Sequence, residues 1–208
     1  MEDKLLEVQK ELLEVSKELK EVMEEAAEDE YKSRILHITG EIEQDNVNAI
    51  FESIMEWNHQ DKGIDPQERE PIFILINSYG GSVYNGFSLY NLFRSCSTPI
   101  IGIVVGVCYS AATLALLGCH LRLAMPNTSL MLHRSRLERW DGDAIDMQQY
   151  SKYWNKIEDT LFSLYLENLD ITSAELHTHL TGDWWLTPEE AVDLKLCDEI
   201  LTNLDLLG

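Results

Sequence analysis

Residues 72–117 read IFILINSYGGSVYNGFSLYNLFRSCSTPIIGIVVGVCYSAATLALL, and this stretch decides the fold class. Ile72–Ile76 is a compact apolar run of strand length, followed by the turn-forming Asn77-Ser78-Tyr79-Gly80-Gly81. Phe87, Leu89, Tyr90 and Phe93 then share the apolar side of a helix. Ile100–Val105 is a second buried strand, broken at Gly106, and Ser110–Leu117 reads as a second helix. Strand and helix alternate, which predicts an α/β architecture. Sites in such folds form past the carboxyl ends of strands. That directs attention to Gly80-Gly81 and to Gly106–Ser110.

The same alternation continues on both sides. Upstream, Arg34–Ile38 reads as a short strand ended by Thr39-Gly40, and Asp45–Trp57 has helical spacing through Val47, Ile50, Phe51 and Ile54. Downstream come a strand at Leu121–Ala124, a turn at Pro126-Asn127-Thr128 and a strand at Leu130–His133. A long helix over Ala144–Asn168 follows, then a short one capped by Thr172 or Ser173, a last helix at Pro188–Leu194 and a strand at Asp198–Leu201.

Residues 1–30 differ in kind. They hold no glycine, proline or aromatic residue, and Leu5, Val8, Leu12, Val15, Leu19 and Val22 recur in steps of three and four. That is heptad spacing, with Glu and Lys on the outer positions. The expected organisation is an amphipathic or coiled-coil helix over 1–30 and one domain of ordinary size over 31–208.

Charge and composition narrow the function classes. The 208 residues carry 37 acids against 16 bases, a net charge of −21, with twelve acids and four bases in residues 1–30. Nucleic-acid binding needs a positive footprint, and none is present; anionic membrane surfaces are disfavoured for the same reason. No run approaches the ~18 apolar residues of a membrane span, and MEDKLLEVQK lacks the pattern of a secretory signal, so a cytoplasmic location is expected. The four cysteines, Cys96, Cys108, Cys119 and Cys197, form no CxxC pair, which points to buried thiols rather than to a metal site or disulfide framework.

Three residues stand out as chemistry-bearing, although each has an ordinary alternative. Ser110 lies where a strand turns into a helix; taken alone it reads as a helix cap. His133 ends an apolar strand, where a lone histidine is more often structural. Asp183 abuts Trp184-Trp185 and so calls for a buried partner such as a histidine N–H. Gly80-Gly81 allows close backbone approach, so its N–H groups suit an oxyanion.

Their joint arrangement carries a family resemblance. INSYGGSVYNGFSLYNLF resembles the Clp peptidase segment I-N-S-P-G-G-S-V-x-A-G-x-x-I-Y-D-x-M, and GVCYSAATLALLGC is similar to G-x-A-A-S-M-G-A-x-L-L-x-A-G. AMPNTSLMLHRS resembles A-L-P-N-A-x-x-M-I-H-Q-P, and DWWLTPEEAVDLKLCDEIL resembles D-R-F-x-x-A-x-E-A-x-x-Y-G-L-I-D-x-I-L. RILHITGEI is similar to the strand that opens the family's core, so the resemblance spans residues 34–201. It implies a crotonase/ClpP-like α/β fold of repeated ββα units and a serine endopeptidase. By the match, Ser110 is the nucleophile, His133 the general base and Asp183 the acid that orients it. Gly81 and Ala111 would supply oxyanion N–H groups, and Val83 and Ser135 would lie at the substrate pocket. No metal or other cofactor is implied. The expected partners are unfolded polypeptide substrates, further copies in a heptameric ring or stacked rings, and an AAA+ unfoldase.

Departures from the pattern shape the expectations. Tyr79 replaces a proline, Cys108-Tyr109 replace two alanines, and Ala111 replaces a methionine; a reshaped pocket beside Ser110 is expected. Arg136–Asp143 replaces a glycine-rich strand and Gly182 an arginine that bridges rings, which puts ring stacking in question. The alternative readings are a catalytically inactive scaffold or regulatory subunit and, on a related fold, an acyl-CoA enzyme.

Overall fold

The computed structural model describes residues 34–136 and 143–203. The heptad-patterned segment 1–30 and residues 137–142 lie outside the described residues. Leu36–Gly208 forms a unit of its own, and it carries the site.

Seven strands and six helices are described. The strands are β1 (Ile35–Ile42), β2 (Ile72–Gly81), β3 (Ile100–Tyr109), β4 (Leu121–Ala124), β5 (Ser129–Leu132), β6 (Trp184–Leu186) and β7 (Glu199–Ile200). The helices are α1 (Gln44–Gln60), α2 (Val83–Ser95), α3 (Ala111–Gly118), α4 (Ala144–Asn168), α5 (Ser173–His179) and α6 (Pro188–Asp193). The sheet runs β1-β2-β3-β4-β7, with β5 joined to β3 and β6 to β5. The β2–β3, β3–β4, β3–β5 and β4–β7 pairs are parallel, and β5–β6 is antiparallel. The α/β expectation agrees with this architecture.

β3 organises the molecule because it serves two neighbours in succession. Its first half, Ile101–Val104, pairs with β4, and its last three residues, Val107–Tyr109, pair with β5. The change happens at Gly106. Opposite it, the β2 register jumps between Ile76 and Ser78, and the Asn77 side chain fills the gap, its Oδ1 accepting from Val107 N–H at 3.1 Å. A Cβ on Gly106 would collide with that amide. The glycine therefore marks a bulge inside the strand, where the sequence reading had placed its end. Likewise β1 continues through Gly40, whose carbonyl accepts from Ser78 Oγ at 2.6 Å, and β2 continues through Gly80-Gly81.

The core lies on both sides of α3. Every residue of this helix, Ala111–Gly118, is buried. Ile72, Ile74, Ile76, Ile100 and Val104 of the central strands pack in the same cluster, with Leu89 and Phe93 of α2 and Tyr165 of α4. A helix apolar on all sides must be enclosed. All four cysteines are buried free thiols, and burial pushes the Cys197 thiol up to about 12. The helix ends follow sequence rules: Thr172 and Glu175 form a reciprocal cap at α5, and Thr187 and Glu190 do so at α6.

Candidate active site

The parallel ladder of β3 and β5 and the antiparallel ladder of β5 and β6 converge on one point. Tyr109 is paired with Met131, and Leu132 with Trp184. Each chain then leaves its ladder by one residue. Ser110 follows Tyr109, His133 follows Leu132, and Asp183 precedes Trp184. The Ser110 N–H donates to Met131 O at 2.8 Å, which ties the serine turn to the strand that ends in the histidine.

Ser110 holds φ 55 and ψ −126. A non-glycine residue in this region carries about 1–3 kcal/mol of strain and persists only where its surroundings fix it. Ser110 stands at the cap position of α3, yet its hydroxyl makes no capping bond. Instead Oγ lies 2.6 Å from His133 Nε2. Its carbonyl accepts from Thr113 N–H at 2.9 Å and Thr113 Oγ1 at 2.7 Å, which holds the turn. Gly80 packs directly on it. A Cβ at Gly80, whose φ is +93, would lie 2.6 Å from Tyr109 O, 2.8 Å from Ser110 Cβ and 3.0 Å from Ala111 N. Gly81 is as tightly placed on the other side, where a Cβ would come within 2.7 Å of Ile42 O. The glycine pair, Ser110 and the start of α3 thus form one close-packed backbone cluster.

The His133 side chain is 13 % exposed. Burial pushes its imidazole below the ordinary value of 6.5, and Arg136 pushes the same way; Asp183 and Glu158 oppose them. The neutral ring is therefore the form held near pH 7, able to accept the Ser110 proton at Nε2. On its other side, Nδ1 lies 3.9 Å from Asp183 Oδ1, beyond hydrogen-bond reach. The bonded partner of that same oxygen is Arg136, whose Nη2 donates at 2.7 Å. Asp183 keeps 34 % of its side-chain exposure, and Trp185 beside it is exposed. The carboxylate is thus partly enclosed, and its hydrogen-bond partner is an arginine where a histidine was expected.

A cavity of about 380 Å³ opens beside the serine. Of the residues singled out from the sequence, Gly81, Val83, Ser110, Ala111, His133 and Ser135 line it; Asp183 stands behind the histidine. Tyr109 does not line it. Its ring packs edge-on between Tyr79 and Trp185, with centroids 5.8 and 5.0 Å away, so the bulky neighbour of Ser110 is accommodated outside the cavity. Two further residues escaped the sequence reading. Arg136 sits in the segment noted as departing from the family pattern. Glu158, on α4, accepts from Ser135 N–H at 2.7 Å, from the Ser135 hydroxyl and from Arg134 Nε at 3.0 Å; one glutamate on a long charged helix carries no sequence mark. Among the described residues no cluster suits a metal ion, and no helix is long and apolar enough to cross a membrane.

Known proteins resemble this chain in sequence and in fold. The chain is 27% identical over 172 residues to the ATP-dependent Clp protease proteolytic subunit of Deinococcus radiodurans, covering 82% of this chain and 81% of that one. It is 26% identical over 178 residues to the protein of the same name from Streptococcus sanguinis, covering 84% and 88%. A solved structure of a mutant ClpP1 from Listeria monocytogenes superposes with a TM-score of 0.76 at 22% identity, covering 88% of this chain and 99% of that one, which establishes a shared fold. The family pattern described as Clp protease matches residues 16–204, so the chain belongs to the Clp protease family, as a divergent ClpP-like peptidase.

Proposed function

We propose that the chain is an active serine endopeptidase in which Ser110, His133 and Asp183 act together. The observation that carries this reading is the 2.6 Å contact between Ser110 Oγ and His133 Nε2 at a strained turn packed against Gly80. In the proposed reaction Ser110 Oγ attacks the scissile carbonyl carbon while its proton passes to His133 Nε2. The oxyanion so formed is met by the N–H groups of Gly81 and Ala111. The C–N bond breaks, the amine leaves with the His133 proton, and an ester to Ser110 remains. Water then loses a proton to His133, its oxygen attacks the ester carbonyl, and the ester C–O bond breaks. Ser110 regains its proton from His133. Asp183 serves by fixing the imidazole with Nδ1 protonated, and Val83 and Ser135 border the substrate side chain.

The relatives are named proteolytic subunits of ATP-dependent proteases. With the family resemblance, those names support further parts of the proposal: a homo-oligomeric ring, an AAA+ unfoldase that feeds unfolded chains to it, and a cytoplasmic location. Active-site phosphonate labelling tests the core claim. Ser110 is expected to be the labelled residue, and Ser110→Ala to abolish both labelling and peptide cleavage; cleavage that persists in Ser110→Ala overturns the assignment. The engagement of Asp183 by Arg136 favours a second reading, an inactive scaffold subunit. Ring assembly seen by negative-stain imaging without any phosphonate labelling would select it.

A further inference from the structure

The cavity beside Ser110 has a charge opposite to that of the chain. The sequence bears a net charge of −21. Yet among the described residues lining the cavity Arg136 is the one fixed charge, and no carboxylate lines it. The walls behind it are apolar, with Leu114, Trp154 and Leu161. A volume of about 380 Å³ admits any amino-acid side chain with room to spare, so size discriminates weakly and charge is left to decide. The nearby Glu158 is held by Ser135 and Arg134 and does not line the cavity.

Arg136 already shows what it binds. Its guanidinium holds a carboxylate, that of Asp183, at 2.7 Å, with the arginine side chain 71 % exposed. An ion pair this exposed is weak, so exchanging one carboxylate for another costs little. The exchange has a consequence at the histidine. The oxygen that Arg136 occupies is the one facing His133 Nδ1 at 3.9 Å. Released, it needs about 1 Å of travel to reach hydrogen-bond distance.

We propose that Arg136 is a specificity-determining residue that receives an acidic side chain from the residue supplying the scissile carbonyl, and that this exchange hands Asp183 to His133. The inference rests on the peptidase reading above. A glutamate fits best: its methylenes lie along the apolar walls and its carboxylate meets the guanidinium. Because the exchange also completes the support of the imidazole, the preference shows in kcat as well as in KM.

The test uses the full-length protein and three fluorogenic peptides that differ only at that residue, carrying Glu, Gln or Leu. Phosphonate labelling of Ser110 is measured on the same preparations. Wild type is expected to cleave the Glu peptide with kcat/KM about tenfold above the Gln peptide, part of it in kcat. Arg136→Leu is expected to reverse the order in favour of the Leu peptide, and Arg136→Lys to keep a weaker acidic preference, because lysine retains the charge without the fork. Equal or slower cleavage of the Glu peptide by a wild type that takes the phosphonate overturns the inference and leaves the peptidase reading standing. An acidic preference undiminished in Arg136→Leu overturns it as well. Failure of both labelling and cleavage overturns the peptidase reading, and the inference with it.

Discussion

Glu158 anchors Ser135, accepting from its backbone N–H at 2.7 Å and from its hydroxyl with the same carboxylate oxygen. Ser135 lies two residues past His133, and Arg134 between them donates to the other oxygen at 3.0 Å. The segment that leaves β5 is thereby fastened to α4, and His133 is fastened with it. Glu158 is a positioning residue, since it touches neither Ser110 nor the cavity. Glu158→Gln should lower kcat by about tenfold with KM little changed, the scale of one charge-assisted hydrogen bond. Glu158→Leu should lower it further. Steady-state kinetics that show a rise in KM alone would contradict the role.

The acid limb of the pH profile should move in opposite directions in two variants. In the proposed mechanism His133 must be neutral to accept the Ser110 proton, so activity is expected to fall as pH drops through its pKa. Burial and Arg136 lower that pKa below 6.5, while Asp183 and Glu158 raise it. Removing the cation in Arg136→Leu therefore shifts the limb of kcat/KM to higher pH. Glu158→Gln shifts it to lower pH. A peptide without acidic residues keeps substrate charge out of the measurement, and coincident limbs in the two variants would refute the electrostatic account.

Gly80→Ala should destroy the site. The new Cβ meets backbone and the Ser110 Cβ at under 3 Å, at a φ of +93 that side chains rarely adopt. A stability loss of at least about 1–3 kcal/mol is expected, along with loss of phosphonate labelling. Gly63→Ala is the control for φ alone, since φ is +95 there and its Cβ meets nothing within 4 Å. Thermal unfolding should rank Gly80→Ala well below Gly63→Ala, with labelling kept in the latter.

Asp183→Asn isolates the carboxylate's role. An amide can still stand beside Nδ1 but favours the wrong tautomer of the ring, a change that costs about 10⁴ in kcat in the well-studied serine protease triad. A loss of about 10³–10⁴ is expected here with the fold unchanged. A loss under tenfold would place Asp183 outside the chemistry.

The Tyr109 ring, edge-on to Tyr79 and Trp185, predicts a measurable coupling. A double-mutant cycle on Tyr109 and Trp185, with leucine at each, should give about 0.5–1.5 kcal/mol by denaturant unfolding. A coupling near zero would mean these two rings are neighbours without mutual stabilisation.

Most of the element order was legible because apolar runs and helix caps are local signals. Leu121–Ala124, Ala144–Asn168 and the Thr172 cap lie where periodicity and capping residues put them. Three strands run past the glycine or glycine-bearing turn at which the sequence ends them: β1 past Gly40, β2 through Gly80-Gly81 and β3 past Gly106. At Gly106 and Gly80 the glycine answers to a neighbouring chain, Asn77 in one case and the Ser110 turn in the other, and that neighbour is not visible from local sequence. β6 was missed because three residues, Trp184–Leu186, give no period. At the site, the approach of Ser110 to His133 follows from strand order, which motif resemblance carries. The pairing of Asp183 with Arg136 depends on a contact 47 residues apart that no motif encodes.

Because β3 pairs in turn with β4 and β5, and β5 with β6, strand register brings the serine, histidine and aspartate to one place. Sliding β5 by one residue along β3 would carry His133 about 3.3 Å and turn it to the opposite face. A mispaired or half-formed chain would therefore leave Ser110 without His133 beside it. On the peptidase proposal, activity is thereby tied to completed folding: it belongs to the finished sheet and not to the nascent polypeptide.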